Sequence, residues 1–204
     1  MKKFVEMNRK GFTLIEVIVV AAIIAILAGI LVPMIFNQID ESKKTRAQGD
    51  VKTIQQAVAT VKSNTLRWPT WSVDSGSCAE DIGFLWNTAS TQPDYSKTTA
   101  PTGSGISMYD VIGKEKGTPL ALCYAKVDNP SVSAWAGPYL AQESGTDPWG
   151  KSYIIYLDKL KSTSAAPRWG WVISAGPDGY LDTDVTSSTV TTPANDDVGV
   201  RISE

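Results

Sequence analysis

Histidine is absent from the 204-residue sequence, and only two cysteines are present. Histidine is the commonest general base and the commonest zinc ligand, so its absence removes most schemes of acid–base or zinc catalysis. Cys78 and Cys123 do not form the C-x-x-C pair of a metal knuckle or a thioredoxin-like site. The sequence also lacks the G-x-S-x-G motif of many hydrolases. We therefore expect a protein that is not an enzyme.

An excess of positive charge is also missing. Nineteen basic residues face 21 acidic ones, and the formal net charge is −2. A nucleic-acid-binding domain normally carries a strongly basic surface, so we expect no nucleic-acid partner. A length of 204 residues suits one globular domain plus a separate segment.

The N-terminus supplies that separate segment. Residues 1–11 contain four basic side chains, and residues 12–36 contain one charge, Glu16, and almost no other polar side chain. As a helix, 12–36 would measure about 37 Å, enough to cross a bilayer with the basic end in the cytoplasm. No A-x-A-like cleavage site ends the apolar run; Gly11 precedes it. An uncleaved single-span anchor is the alternative interpretation.

Glu16 argues against a plain anchor. A carboxylate within a membrane segment costs about 2.5–3.5 kcal/mol on insertion scales, so it indicates a function and a partner. Cleavage after Gly11 would create an α-amino group on Phe12. Glu16 could then neutralise that amine in its own chain or in a neighbouring subunit, and a buried charge pair of this kind can fix register.

The segment Lys10-Gly11-Phe12-Thr13-Leu14-Ile15-Glu16 resembles the class III signal of type IV pilins and type II secretion pseudopilins. The resemblance implies that residues 1–11 are a leader peptide, that a prepilin peptidase cuts after Gly11, and that the amine of Phe12 is methylated. It further implies that Glu16 pairs with the N-terminus of an adjacent subunit during assembly. Pro33 lies where many pilins carry a proline that bends the helix.

An amphipathic helix over residues 37–63 is predicted to follow the membrane segment. Apolar residues recur at helical spacing, which predicts one buried stripe: Ala47, Val51, Ile54, Ala57, Val58 and Val61. The continuous helix from Phe12 to about Lys62 would be about 75 Å long. Pro33 and Gly49 weaken it, which in a filament would let the helix adjust as it leaves lipid.

Residues 64–136 form a region rich in Ser, Thr, Gly and Pro. We expect an exposed loop over 96–107, a short strand over 121–127, and packing, rather than sugar binding, for Trp68 and Trp71. In an oxidising compartment Cys78 and Cys123 would pair, and two buried free thiols are the alternative.

Residues 137–204 are predicted to form a sheet. The segments 153–157 and 169–174 are rich in β-branched and aromatic residues, and Asp147-Pro-Trp-Gly150 is a turn signature. An antiparallel sheet packed on the amphipathic helix would bury both apolar faces. The expected fold class is therefore α+β and pilin-like.

The same region contains a cluster of oxygen ligands. Five carboxylates and one amide lie within 20 residues, with no basic residue between them: Asp178, Asp182, Asp184, Asn195, Asp196 and Asp197. Oxygen ligands without His or Cys suit calcium, although the spacing is not that of an EF-hand. A solvated acidic loop is the alternative.

Residues 137–140, 147–153, 174–179 and 196–198 resemble the C-terminal half of the major pseudopilin of type II secretion systems. The resemblance implies a calcium-binding loop with ligands at Asp178, Asp196 and Asp197. The remaining three oxygen-bearing residues, Asp182, Asp184 and Asn195, are additional candidates. The segment before Gly137 and the loop after Gly179 are both longer than that family usually shows.

The resemblance implies a structural filament subunit that drives protein export. Its partners would be further copies of itself, minor pseudopilins, a prepilin peptidase and an inner-membrane assembly platform. Before assembly it would span the inner membrane once, with the C-terminal head in the periplasm or outside the cell. The alternative in the same family is the major pilin of a type IV pilus that serves adhesion, motility or DNA uptake. A membrane-anchored magnesium enzyme and an anchored carbohydrate-binding module are alternatives from other classes.

Overall fold

The computed structural model describes residues 11–74, 77–86, 91–95, 104–108, 112, 123–124, 134–140 and 146–204. The predicted α+β class is confirmed, because one long N-terminal helix precedes a small, mostly antiparallel sheet. The chain divides into two compact units, Met1–Ser42 and Lys43–Glu204. The second unit is called the head below.

Helix α1 spans Leu14–Thr65 and continues through Pro33. At its start the hydroxyl of Thr13 accepts a hydrogen bond from the Glu16 amide at 3.3 Å, which satisfies one of the free donors of the first turn. At its end Leu66 adopts a left-handed backbone with φ of 59°, and its amide bonds the Lys62 carbonyl at 2.8 Å. The apolar part of α1 has a mean hydropathy of 3.0 over 18 residues and is long enough to cross a membrane.

The predicted amphipathic stripe is confirmed. All six stripe residues are buried in the head, whereas the polar positions between them are exposed or half-buried. Tyr153 adds a polar link, since its hydroxyl donates to the Asp50 carboxylate of α1 at 2.8 Å. The C-terminal part of α1 is thus fixed to the sheet by both apolar burial and a hydrogen bond.

The described residues after α1 contain seven strands. Strands β1 (Ser72–Asp74) and β2 (Ser77–Ala79) form an antiparallel pair. The main sheet has the order β4-β3-β5-β6-β7, with β3 at Ile82–Trp86, β4 at Ser104–Ser107, β5 at Ile154–Tyr156, β6 at Trp169–Ser174 and β7 at Val198–Ser203. A short 3₁₀ helix, Asp158–Leu160, follows β5.

The two predicted strands are confirmed as β5 and β6, but the sheet is larger than predicted. Strands β3 and β7 were not predicted, and β4 lies within the loop expected over 96–107, so that expectation is wrong for residues 104–107. Strand β4 pairs with β3 in parallel, whereas the other pairings in the main sheet are antiparallel. The reason is long-range pairing. One side of β3 pairs with β5, and the backbone on its other side can form hydrogen bonds with a Ser- and Gly-rich segment.

The region around the second cysteine also differs from expectation. Cys123 and Tyr124 lie in a turn, so the strand predicted over 121–127 is wrong at these positions; its other residues lie outside the described ones. Cys78 of β2 and Cys123 form a disulfide with a Cα–Cα distance of 5.4 Å. Trp68 is 8% exposed within the core, in agreement with a packing role.

The main sheet has an apolar cluster on each face, as the period of two along a strand requires. Ile155 and Val172 belong to the cluster that includes the α1 stripe. On the opposite face Tyr156 and Trp171 pack with Leu181 and Val185, which come from the loop between β6 and β7. Burial of an aliphatic side chain contributes about 1.5–3 kcal/mol, so this loop is held on the sheet by its own apolar residues.

Candidate functional site

The N-terminal part of α1 is one candidate site, because its apolar surface is exposed in the part of the chain that the structure describes. The large hydrophobic side chains from Phe12 to Phe36 are 49–82% exposed. Phe12, Glu16, Val17 and Val20 line one shallow hollow of about 310 Å³. An exposed apolar surface of this extent marks a membrane or protein contact.

The acidic loop between β6 and β7 is the second candidate site. Oxygens of Asp178, Asp182 and Asp196 lie within 4.8 Å of one another. Two of these residues are half-buried and Asp178 is exposed. Carboxylates this close repel one another unless a cation or solvent separates them, and hard divalent cations prefer such all-oxygen donors. The donor set therefore fits calcium or magnesium by its chemistry.

Tight turns bring these three carboxylates together. Gly176 and Gly179 have φ values of 66° and 75°, which only glycine adopts without strain. The Asp178 amide donates to the Asp196 carboxylate at 3.3 Å, and the Asp178 carboxylate accepts from the Tyr180 amide at 2.8 Å. The two ends of the loop are thus joined at the cluster.

Asp197, a candidate ligand from the sequence, lies beside the cluster and is not one of the three residues grouped above. Its Oδ2 accepts hydrogen bonds from the amides of Asp182 and Thr183 at 3.0 and 2.6 Å, and from the Thr183 hydroxyl at 2.6 Å. Its Oδ1 is buried and has no hydrogen-bond partner among the described residues. Burial is the main cause that raises the pKa of Asp197 to about 6, against the hydrogen bonds from Thr183 that lower it. Asp197 therefore anchors the loop directly behind Asp182, and one of its oxygens remains available.

The other two candidates lie at the edge of the cluster. Asp184 accepts from the amide and the hydroxyl of Thr186, so it caps a local turn. Asn195 has a φ of 49°, and its side-chain amide donates to the Asp182 carboxylate. The geometry thus brings together Asp178, Asp182 and Asp196, with Asn195 beside them.

Sequence reasoning missed the buried residues behind the loop. Asp147 is 3% exposed and Ser174 is fully buried, and the Ser174 hydroxyl donates to Asp147 Oδ2 at 2.6 Å. The turn signature at 147–150 includes Asp147, so the sequence predicts a turn there. The burial of the Asp147 side chain and its contact with Ser174 depend on the tertiary fold, which residue spacing alone does not predict.

Residues 145–152 also read G-x-x-x-x-G-K-S, the spacing of a phosphate-binding loop. The structure excludes that interpretation for the described part, 146–152. Such a loop opens a helix, whereas this segment leads to strand β5. Asp147 Oδ1 also accepts hydrogen bonds from the amides of Trp149 and Lys151, so these two donors are already used within the turn.

Comparisons with known proteins agree with this architecture. Residues 7–32 match the model of the prokaryotic N-terminal methylation motif. The chain is similar to the type II secretion system core protein G of Pseudomonas aeruginosa, with 40% identity over 30% of this chain and 44% of that protein. The core protein G of Escherichia coli is 24% identical over 87% of this chain and 88% of that protein.

A pilin is also among the relatives. The type IV major alpha-pilin of Moraxella bovis is 39% identical over 42% of this chain and 53% of its own length. The chain spans about half the length of the first curated relatives that it matches. No solved structure matches.

A long exposed N-terminal helix with a methylation motif, joined to a small sheet, defines the class of pilin-like proteins. By this architecture and these matches, the chain is similar to type IV pilins and type II secretion pseudopilins. The match to the core protein G of Escherichia coli extends over most of both chains.

Substitution of Gly176 by alanine should disrupt the acidic loop. A Cβ at position 176 would lie 2.3 Å from the Asp196 carbonyl oxygen, and the φ of 66° adds backbone strain. We expect a clear fall in the thermal midpoint of the head, followed by circular dichroism. Gly150→Ala is the matched control, because φ there is 94° but no described atom lies within 4 Å of the added Cβ. This substitution should cost only about 1 kcal/mol. Equal effects of both substitutions would contradict the proposed close contact at Asp196.

Proposed function

We propose that the chain is a structural subunit of a type II secretion pseudopilus, in the role of the major pseudopilin. The observation that carries the proposal is the methylation motif at 7–32 combined with similarity to core protein G over 177 residues. In this role the protein moves substrates by growth of its filament and not by catalysis. Its membrane form spans the inner membrane once, with the head on the periplasmic side.

Processing and assembly use the N-terminal helix. A prepilin peptidase removes residues 1–11, and the new amine of Phe12 is methylated. Subunits then leave the inner membrane at an assembly platform, where minor pseudopilins also act, and α1 exchanges lipid for the α1 helices of other copies. The exposed apolar surface from Phe12 to Phe36 supports this step, because such a surface is suited to contact with lipid or with other helices.

Glu16 sets the register of this assembly. It is the one charge in residues 12–36, so its carboxylate becomes costly once it is surrounded by apolar helices. Pairing with the amine of Phe12 in an adjacent subunit compensates that cost and fixes the axial position of the neighbour. Bending or local unwinding of α1 near Pro33 lets helices of neighbouring subunits pack side by side.

Calcium in the acidic loop is the second part of the proposal. Asp178, Asp182 and Asp196 would hold the ion, with Asp197 and Asn195 next to them and Asp184 further out. Three close carboxylates support it, as does a buried oxygen of Asp197 that lacks a partner within the described part of the chain. When bound, calcium would neutralise the cluster and lock the loop on the sheet.

A type IV pilus is the second candidate function, favoured by the similarity to the pilin of Moraxella bovis. Deletion of the gene in its native host separates the two functions. A pseudopilin predicts that exported proteins accumulate inside the cell envelope while surface pili persist. Loss of surface pili with normal protein export would overturn the pseudopilin role.

Removal of calcium should destabilise the head. Binding to the folded state alone stabilises by RT ln(1 + [L]/Kd), which is about 2.7 kcal/mol at a hundredfold excess over Kd. We therefore expect calcium to raise the thermal midpoint relative to excess chelator, and Asp178→Asn with Asp196→Asn to abolish the difference. An identical melting curve with and without the ion would contradict the metal proposal.

The pH dependence of the stability of the head should differ between excess chelator and calcium. In chelator the folded pKa of Asp197, about 6, exceeds its ordinary value of about 3.9. Protonation of Asp197 then favours the folded state. Its contribution to the free energy of unfolding is complete below a pH of about 4 and is lost as the pH rises through 6. With calcium present, protonation competes with the ion, and the apparent affinity should fall as pH drops below 6.

A further inference from the structure

Asp147 is a buried acid that the function described so far does not use. Its Oδ1 accepts hydrogen bonds from the amides of Trp149 and Lys151, at 3.0 and 2.8 Å. Its Oδ2 accepts from the Ser174 hydroxyl at 2.6 Å. Both carboxylate oxygens are thus hydrogen-bonded within the protein, and Asp147 is 3% exposed.

Ser174 links Asp147 to the start of the acidic loop. The residue is the last one of β6, and its hydroxyl oxygen also accepts a hydrogen bond from the Gly176 amide at 3.2 Å. The carboxylate of Asp147 orients the hydroxyl, because the single proton of Ser174 points at Oδ2 and leaves the lone pairs for Gly176. The turn after β6 is therefore tied to the turn at 147–150.

Gly176 lies directly against one of the proposed ligand residues. A Cβ built on it would be 2.3 Å from the Asp196 carbonyl oxygen and 3.2 Å from its Oδ2. Two residues further on, the Asp178 amide donates to the same carboxylate. The position of the Gly176 backbone thus determines the relative positions of the carboxylates of Asp178 and Asp196.

We propose that Asp147 is a positioning residue for the cation site, acting through Ser174 on the glycine turn that presents Asp178 and braces Asp196. This inference rests on the calcium site proposed above. Groups that hold metal ligands in place commonly alter metal affinity by 10–100-fold when they are removed. An acid suits this position because only a carboxylate accepts from two amides and a hydroxyl at once without offering a donor of its own.

Ser174→Ala tests the proposal with least disturbance, since it removes the link and keeps the contacts between Asp147 and its own turn. Calcium binding is measured by titration calorimetry on the full chain in detergent. We expect Kd to rise about tenfold or more. Thr70→Val is the matched control, because Thr70 is also fully buried and donates to a carboxylate, Glu80, at 2.8 Å. The control should leave Kd unchanged.

The outcomes are distinct. A lower thermal midpoint in chelator with an unchanged Kd would assign Ser174 a merely structural role and overturn the inference. Asp147→Asn gives a second test: its amide keeps one acceptor oxygen for the turn but loses the acceptor for Ser174, so Kd should rise as in Ser174→Ala. Failure of the wild-type chain to bind calcium at about 1 mM would instead overturn the calcium proposal on which the inference rests.

Discussion

Glu16→Ala should leave the protein inserted in the membrane and abolish filament formation. Loss of the carboxylate removes an insertion cost of about 2.5–3.5 kcal/mol, so membrane residence should improve slightly. Assembly should fail because the only charge in residues 12–36 that could pair with a neighbouring N-terminus is gone. Membrane fractionation measures insertion, and electron microscopy of sheared filaments after overexpression measures assembly.

Asp40→Ala serves as the matched control for this experiment. Asp40 is an exposed carboxylate of the same helix, and it lies beyond the apolar run. Its removal changes the net charge by the same amount, so filaments should still form. Normal filaments from Glu16→Ala would count decisively against the register role of Glu16.

Loss of the disulfide should be the largest single effect on the stability of the head. The bond joins residues 45 positions apart, and closure of such a loop contributes about 4 kcal/mol in the chain-entropy model. For a domain of this size, we expect the thermal midpoint to fall by about 10 °C. Urea unfolding followed by tryptophan fluorescence, with and without reductant, measures the change in free energy.

A double variant, Cys78→Ala with Cys123→Ala, controls for side effects of the reductant. It should unfold like the reduced wild type, apart from the small loss of packing at Cys123, which is 3% exposed. Addition of reductant to the double variant should change nothing. Equal free energies of unfolding for oxidised and reduced wild type would show that the bond does not constrain the unfolded chain.

Sequence reasoning succeeded where the pattern is local. The apolar run of α1 and the buried stripe from Ala47 to Val61 follow from helical periodicity, and β5 and β6 follow from dense β-branched and aromatic residues. Each of these signals lies within one segment. No knowledge of distant residues was needed to read them.

The missed strands depend on partners far along the chain. Strand β4 is rich in Ser and Gly, and it becomes a strand because β3 provides an edge for parallel pairing. Strand β7 follows the acidic residues directly, so residues 196–198 were interpreted only as the end of a metal loop. Pairing with β6 over six residues decides its conformation.

The candidate metal site shows the same limit at the level of side chains. Composition identified the acidic loop, but it could not tell that Asp182 joins the cluster while Asp197 turns inward to bind the amides of Asp182 and Thr183. Spacing along a loop does not determine the direction of each carboxylate. The glycine turns and the buried contact between Asp147 and Ser174 decide that direction.

Intact mass spectrometry of the subunit taken from purified filaments tests the central claim most directly. We predict a chain that begins at Phe12, lacks residues 1–11 and carries one additional methyl group on its N-terminal amine. The disulfide between Cys78 and Cys123 should be present in the same species. A full-length, single-span monomer that retains residues 1–11 and never enters a filament would contradict the account.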